Sequence, residues 1–100
     1  MEIILNRELV GINGEALKDE GGKKFLLKDA IVGSLLADFK DESELAGEEK
    51  VRRYRLAMKT LKEEDKVDIS IEDLALVKKQ IAKMYGVLVC AQAWEMLEGK

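Results

Sequence analysis

The chain changes texture at Leu26. Before it lie four of the eight glycines, grouped around Gly11–Gly14 and Gly21-Gly22. After it, apolar residues recur at helical spacing with few breakers, and the 100 residues contain no proline. A turn-rich segment followed by sustained helical periodicity predicts an α+β fold: an N-terminal β-hairpin packed on a bundle of about four α-helices. The length fits a single domain, with residues 1–26 as its hairpin region and 27–100 as its helical region.

Within the first region, Ile3-Ile4-Leu5 and Leu9-Val10 suit extended backbone, and Asn13-Gly14 is a tight-turn signal because both residues tolerate positive φ. The hairpin is expected to pair Glu15–Lys18 with Lys23–Leu26 across Asp19-Glu20-Gly21-Gly22, with a third strand near Ile3. No internal repeat is evident. An isolated hairpin is marginal in water, so this one must pack on the helices.

Four helices follow from the spacing. The first runs from about Leu27 to Phe39, with Leu27, Ile31, Leu35 and Phe39 on its apolar half and a small-residue ridge of Ala30, Gly33, Ser34 and Ala37 opposite. Lys40 to Gly47 is a polar linker. The second spans about Glu48 to Glu63, with Val51, Tyr54, Ala57, Met58 and Leu61 as its stripe. Ser70, with Asp73 three residues on, caps the third, whose core face is Ile71, Leu74, Val77, Ile81, Met84 and Tyr85. Gly86 separates it from the fourth, Val87–Glu98. The predicted core joins Ile31, Leu35, Val51, Tyr54, Met58, Leu74, Val77, Ile81 and Trp94. Lys78 falls inside the apolar face of the third helix, where it either snorkels to water or meets a buried carboxylate.

Composition removes several kinds of chemistry. With no histidine, the commonest general base is missing, and no Ser-His or Cys-His pair exists within the chain. One cysteine, Cys90, makes neither an intrachain disulfide nor a structural zinc site, and its apolar helix suits packing. The acidic linker Asp38, Asp41, Glu42 and Glu44 lacks the alternating oxygen ligands of a calcium loop. The glycines match no phosphate-binding motif. No catalytic residue, metal ligand or cofactor is expected. Neither a signal peptide nor a spanning segment is legible, so a soluble cytoplasmic protein without membrane attachment is expected.

Two surfaces stand out. Lys50 to Lys62 holds six basic residues and no acid. Arg52, Arg55, Lys59 and Lys62 gather on one side of the wheel, either as a solvated face or as a ridge for phosphates. The turn to the next helix is longer than a helix-turn-helix allows. The second surface is apolar: Leu88 and Ala91 face outwards between Gln92 and Glu95, and Leu56 and Leu76 fall on polar faces. These six are the candidate protein interface, and an isologous homodimer is the commonest way to cover such a patch.

Several words of the sequence resemble small proteins encoded by tailed bacteriophages and prophages, over nearly the whole chain. They are Leu5-Asn6-Arg7-Glu8-Leu9 before the turn at Gly14, Leu27-Lys28-Asp29 opening a helix that ends Leu35-Leu36-Ala37-Asp38, Gly47-Glu48-Glu49-Lys50 with Arg53-Tyr54, Ile69-Ser70-Ile71-Glu72-Asp73, and Gln92 and Trp94 before Leu97-Glu98. Members tend to carry Ser-Pro at Gly86-Val87. The group has no assigned activity, so the resemblance implies a setting, the bacterial host cytoplasm, and no site residues. The expected function is a non-catalytic phage or prophage accessory protein that binds a phage structural protein or a host protein, with tail assembly as one role. The alternative is a small nucleic-acid-binding regulator using the basic ridge.

Overall fold

The computed structural model describes residues 1–42 and 44–100; Ser43, in the polar linker, lies outside the described residues. The chain runs β1 (Glu2–Ile4), α1 (Leu27–Leu36), a single 3-10 turn (Lys40–Glu42), α2 (Gly47–Lys62), β2 (Lys66–Asp68), α3 (Ile71–Met84) and α4 (Val87–Leu97). This is the α+β arrangement the sequence predicts. One core gathers residues from β1, the turn-rich segment, β2 and all four helices.

The hairpin forms, and its surroundings differ from expectation. Lys18 bridges Lys24 as predicted, and two further antiparallel bridges join Val10 to Ala16 and Glu8 to Leu26. Three short segments therefore close on one another. Leu9 N–H donates to Phe25 O, Phe25 N–H to Leu17 O, and Leu17 N–H to Leu9 O, at 2.9, 2.8 and 2.9 Å. Successive members of this ring lie eight residues apart, and so do the turns between them. Gly11 N–H reaches Glu15 O and Gly14 N–H reaches Gly11 O; eight residues on, Asp19 N–H reaches Lys23 O and Gly22 N–H reaches Asp19 O. Gly14 and Gly22 both have φ 83°, a conformation that favours glycine. The segment is an internal repeat after all. Only Leu9/Leu17 and Gly14/Gly22 are identical between its two units, which hides it in the sequence.

The third strand near Ile3 is not part of that ring. β1 pairs antiparallel with β2, Ile3 opposite Val67, so the first residues are tied to the link between α2 and α3. Ile3, Leu5, Val67 and Ile69 point inwards while Glu2, Ile4, Lys66 and Asp68 point out, the two-residue period of a strand covered on one face.

α1 is the central helix, packed between α2 and α3. Asp29 accepts from Leu26 N–H at 2.9 Å and so fixes its start. It stops at Leu36, three residues short of Phe39, because Ala37 turns to extended backbone at ψ 147°. Within the small-residue ridge, Ala30 and Ser34 are buried, and a Cβ at Gly33 would come within 3.2 Å of the Tyr85 hydroxyl. α3 begins as predicted, with Ser70 Oγ accepting from Asp73 N–H, and Gly86 is the N-cap of α4. The core face of α3 holds in part: Leu74, Val77 and Ile81 are buried as predicted, Leu76 and Gln80 join them, and Ile71 and Met84 are exposed.

The largest correction concerns α2. Its buried residues are Arg53, Leu56, Ala57 and Thr60; Val51 and Tyr54, assigned to the core from sequence, are exposed, and Met58 is only partly covered. At the ideal helical repeat the two faces lie about 130° apart. Trp94 is half-buried, and its indole N–H donates to Lys78 O at 3.1 Å.

Candidate functional site

Because α2 is turned this way, it shows apolar side chains on both sides. Inwards, Leu56 and Ala57 pack on α1, and Thr60 Oγ1 donates to Leu56 O. Outwards, Val51, Tyr54, Met58 and Leu61 recur at steps of three and four, with Tyr54 57% exposed and Leu61 49%. Groups of this size exposed along about three turns of one helix are unusual unless something covers them.

Cations line that stripe. One groove of about 520 Å³, between α2 and the start of α3, is lined by Val51, Arg52, Arg55, Leu56, Lys59 and Asp73 among others. A second, of about 410 Å³, lies on the other side of Arg55 and Lys59, beside Tyr54, Met58 and Lys62. The four residues of the sequence-predicted ridge are therefore together on the surface, and they are not equivalent. Arg52 is held by Asp73 at 3.1 Å, with Glu49 at 3.7 Å. Lys59 donates to the Asp68 carbonyl and lies near enough to the Asp68 carboxylate to help the N-terminal ammonium lower its pKa, without a direct ion pair among the described residues. Arg55 and Lys62 are exposed and have no ion-pair partner among the described residues.

The inner side of α2 is fixed by an ion cluster that the sequence did not suggest. Arg53, with its side chain 6% exposed, holds both carboxylate oxygens of Glu42, which lies on the 3-10 turn. Lys83 of α3 reaches the same carboxylate at 2.7 Å and Asp41 at 3.0 Å. The Arg53 hydrogen bonds, opposed by desolvation and reinforced by Lys83, lower the Glu42 pKa to about 2. Glu42 in turn raises the pKa values of Arg53 and Lys83. Arg53 Nε lies 3.9 Å from Glu49, too far for a hydrogen bond. The cluster ties the linker, α2 and α3 together and thereby aims the Val51–Leu61 stripe at solvent.

The predicted interface residues divide. Leu56 and Leu76 are core, at 5% and 8% exposure, and drop out as contact residues. Gln92 is occupied: its amide accepts from Val10 N–H at 2.9 Å and donates to Val10 O at 2.7 Å, pinning α4 to the repeat segment. Leu88, Ala91 and Glu95 are exposed on α4 as expected. Lys78 lies at the edge of its face: its ammonium is over the Trp94 ring and 3.4 Å from Glu98, an exposed carboxylate and not a buried one. Cys90 is a half-buried free thiol.

Among the described residues no cluster of histidine, cysteine or carboxylate side chains could hold a metal ion. No described helix is long and apolar enough to cross a membrane. What the arrangement offers is a surface with an apolar stripe and a row of cations along one side of it. No protein-family model matches the chain, and comparison with curated proteins and with solved structures finds no match.

Proposed function

We propose that this chain is a non-catalytic accessory protein that works by binding another protein through the outer face of α2. The observation that carries this reading is the stripe of exposed Val51, Tyr54 and Leu61 with half-buried Met58, on a helix whose opposite face already fills the core. Arg55, Lys59 and Lys62 beside it favour a partner segment that is apolar and acidic, since charge complementarity selects the partner while apolar burial supplies affinity. The phage setting and the bacterial cytoplasm rest on the sequence resemblance alone; within that setting the partner is a virion component during tail assembly, or a host protein.

The test is a photo-crosslinking residue at position 54, introduced in phage-producing cells. An adduct with a virion or host protein, abolished by Leu61→Lys, supports the reading. Absence of any protein adduct overturns it.

One observation favours a second reading, a nucleic-acid-binding regulator. Tyr54 is an exposed aromatic beside Arg55, a pairing on which a base can stack. With Arg52 neutralised by Asp73, three cations remain, so duplex binding would weaken with salt at a log–log slope of about −2.7. No binding at low salt, or binding unchanged in Arg55→Ala/Lys59→Ala/Lys62→Ala, removes this reading.

A further inference from the structure

We propose that two copies of this chain pair antiparallel through α4, with Ala91 on the two-fold axis and each Glu95 carboxylate over the amino end of the other copy's α4. The inference does not depend on the α2 reading.

The exposed side of α4 is apolar where a helix in water should not be. Val87 is 87% exposed and Leu88 42%. Beside them runs a groove of about 340 Å³ lined by Ala82, Val87, Cys90, Ala91 and Trp94, with no charged side chain. At its middle Ala91 is small enough to let a second helix come close, about 8 Å axis to axis.

The charges say what covers this face. α4 is capped against its dipole at both ends. Its N-cap is Gly86, with no side chain to accept from the first free N–H groups, and its first turn has no acid. Its last turn has no base and instead carries acids, Glu95 there and Glu98 at the C-cap. The dipole favours the reverse arrangement at each end. Glu98 is engaged by Lys78, whereas Glu95 is exposed and has no ion-pair partner among the described residues. The amino end of α4 thus lacks the acid that the carboxyl end holds unpaired, and an antiparallel second copy brings the two together.

The register follows from the spacing. With Ala91 on the axis, Glu95, four residues to one side, lies opposite Val87, four residues to the other. That is about 6 Å along each helix. The carboxylate then faces the free Val87 and Leu88 N–H groups, and Trp94, half-buried in the single chain, lies opposite Leu88. The contact is isologous, so every interaction occurs twice.

Sedimentation equilibrium across the micromolar range tests the pairing. Wild type is expected at twice the 11.2 kDa chain mass. Leu88→Glu is expected at the monomer mass. Glu95→Lys and Val87→Asp should each raise the dimer Kd about tenfold, the first by setting a cation at the partner helix's N-terminus and the second by facing the partner copy's Glu95 carboxylate with a like charge. Val87→Asp is the sharper variant: the same acid favours its own helix, so circular dichroism should show helicity retained while association weakens. Tyr54→Ala should leave the dimer intact, which separates this interface from the α2 face. A wild type at the monomer mass throughout, a Leu88→Glu variant that remains dimeric, or an unchanged Kd in Glu95→Lys and Val87→Asp overturns the proposal.

Discussion

Arg53 and Glu42 meet through two hydrogen bonds, 2.8 and 2.5 Å, with both side chains less than a tenth exposed. One partner lies on α2 and the other on the turn before it, so the pair sets the rotation of α2 about its own axis. A buried cation without its carboxylate is worse than no charge at all. Glu42→Gln should therefore cost about 3 kcal/mol at neutral pH, and Glu42→Leu/Arg53→Met should recover most of it. Denaturant midpoints of the two variants against wild type check this; a double variant no better than the single one refutes it.

The same pair predicts a pH dependence of definite sign. The folded Glu42 pKa, about 2, is lower than its ordinary 4.5. The native state thus binds the proton more weakly than the unfolded chain, and the stabilisation is complete above pH 4.5. It is lost as pH falls from there through 2. The gap in stability between wild type and Glu42→Gln should be constant near neutrality and close across that window. A gap that persists at the acid end would show that the carboxylate charge is not its source.

The rotation of α2 gives the cleanest mutational contrast. Leu56→Ala empties a buried site and should cost about 2–5 kcal/mol. Tyr54→Ala removes a larger but exposed side chain and should change stability by no more than about 0.5 kcal/mol. Equal losses in urea unfolding would place Tyr54 in the core, where apolar periodicity alone puts it.

That periodicity misleads for a physical reason. α2 has two apolar faces, and the larger side chains lie on the one that ends up outside. What decides between the faces is Glu42, beyond the helix and invisible to any helical wheel. Features decided within a few residues were legible: the Ser70–Asp73 cap, the break at Gly86, the Lys18–Lys24 hairpin. Features decided across the chain were not. β1 finds its partner more than sixty residues away at Lys66–Asp68, and nothing local in Glu2–Ile4 distinguishes that strand from a third hairpin strand. On the candidate surfaces, Leu88, Ala91 and Glu95 were legible because α4 has only one face free. Leu56 and Leu76 were not, because α2 buries a different face and α3 buries Leu76 beside the predicted Leu74, Val77 and Ile81.

The eight-residue repeat predicts equal behaviour at equivalent positions. A Cβ at Gly14 or Gly22 would touch nothing within 4 Å, so alanine there costs only backbone strain at φ 83°. Gly14→Ala and Gly22→Ala should each lose about 1–2 kcal/mol, alike within error. Gly21, whose φ is not positive, should tolerate alanine with little change or a small gain. Thermal unfolding of the three variants is the measurement, and a marked difference between Gly14→Ala and Gly22→Ala would break the equivalence.

Gln80 gives a prediction of opposite sign. Its side chain is fully buried on α3, and neither its amide oxygen nor its amide nitrogen has a hydrogen-bond partner among the described residues. The two neighbouring cases differ: Ser34 donates to Ile31 O and Thr60 to Leu56 O, so their hydroxyls are satisfied within their own helices. The Gln80 amide makes no such bond to its own helix, although that of Gln92, on α4, reaches Leu88 O at 3.1 Å. Taking it out of water without a partner costs about 1–3 kcal/mol on protein mutational scales. Methionine has nearly the same length and shape, keeps the helix propensity, and has no such penalty. Gln80→Met should raise stability by about 1–2 kcal/mol, one of the few single changes in a buried site that does so. Gln80→Ala separates the two contributions: it also removes the amide but leaves a cavity, and should lower stability. Chemical denaturation of both variants decides the matter, and a Gln80→Met protein weaker than wild type would show that the amide is hydrogen-bonded in solution.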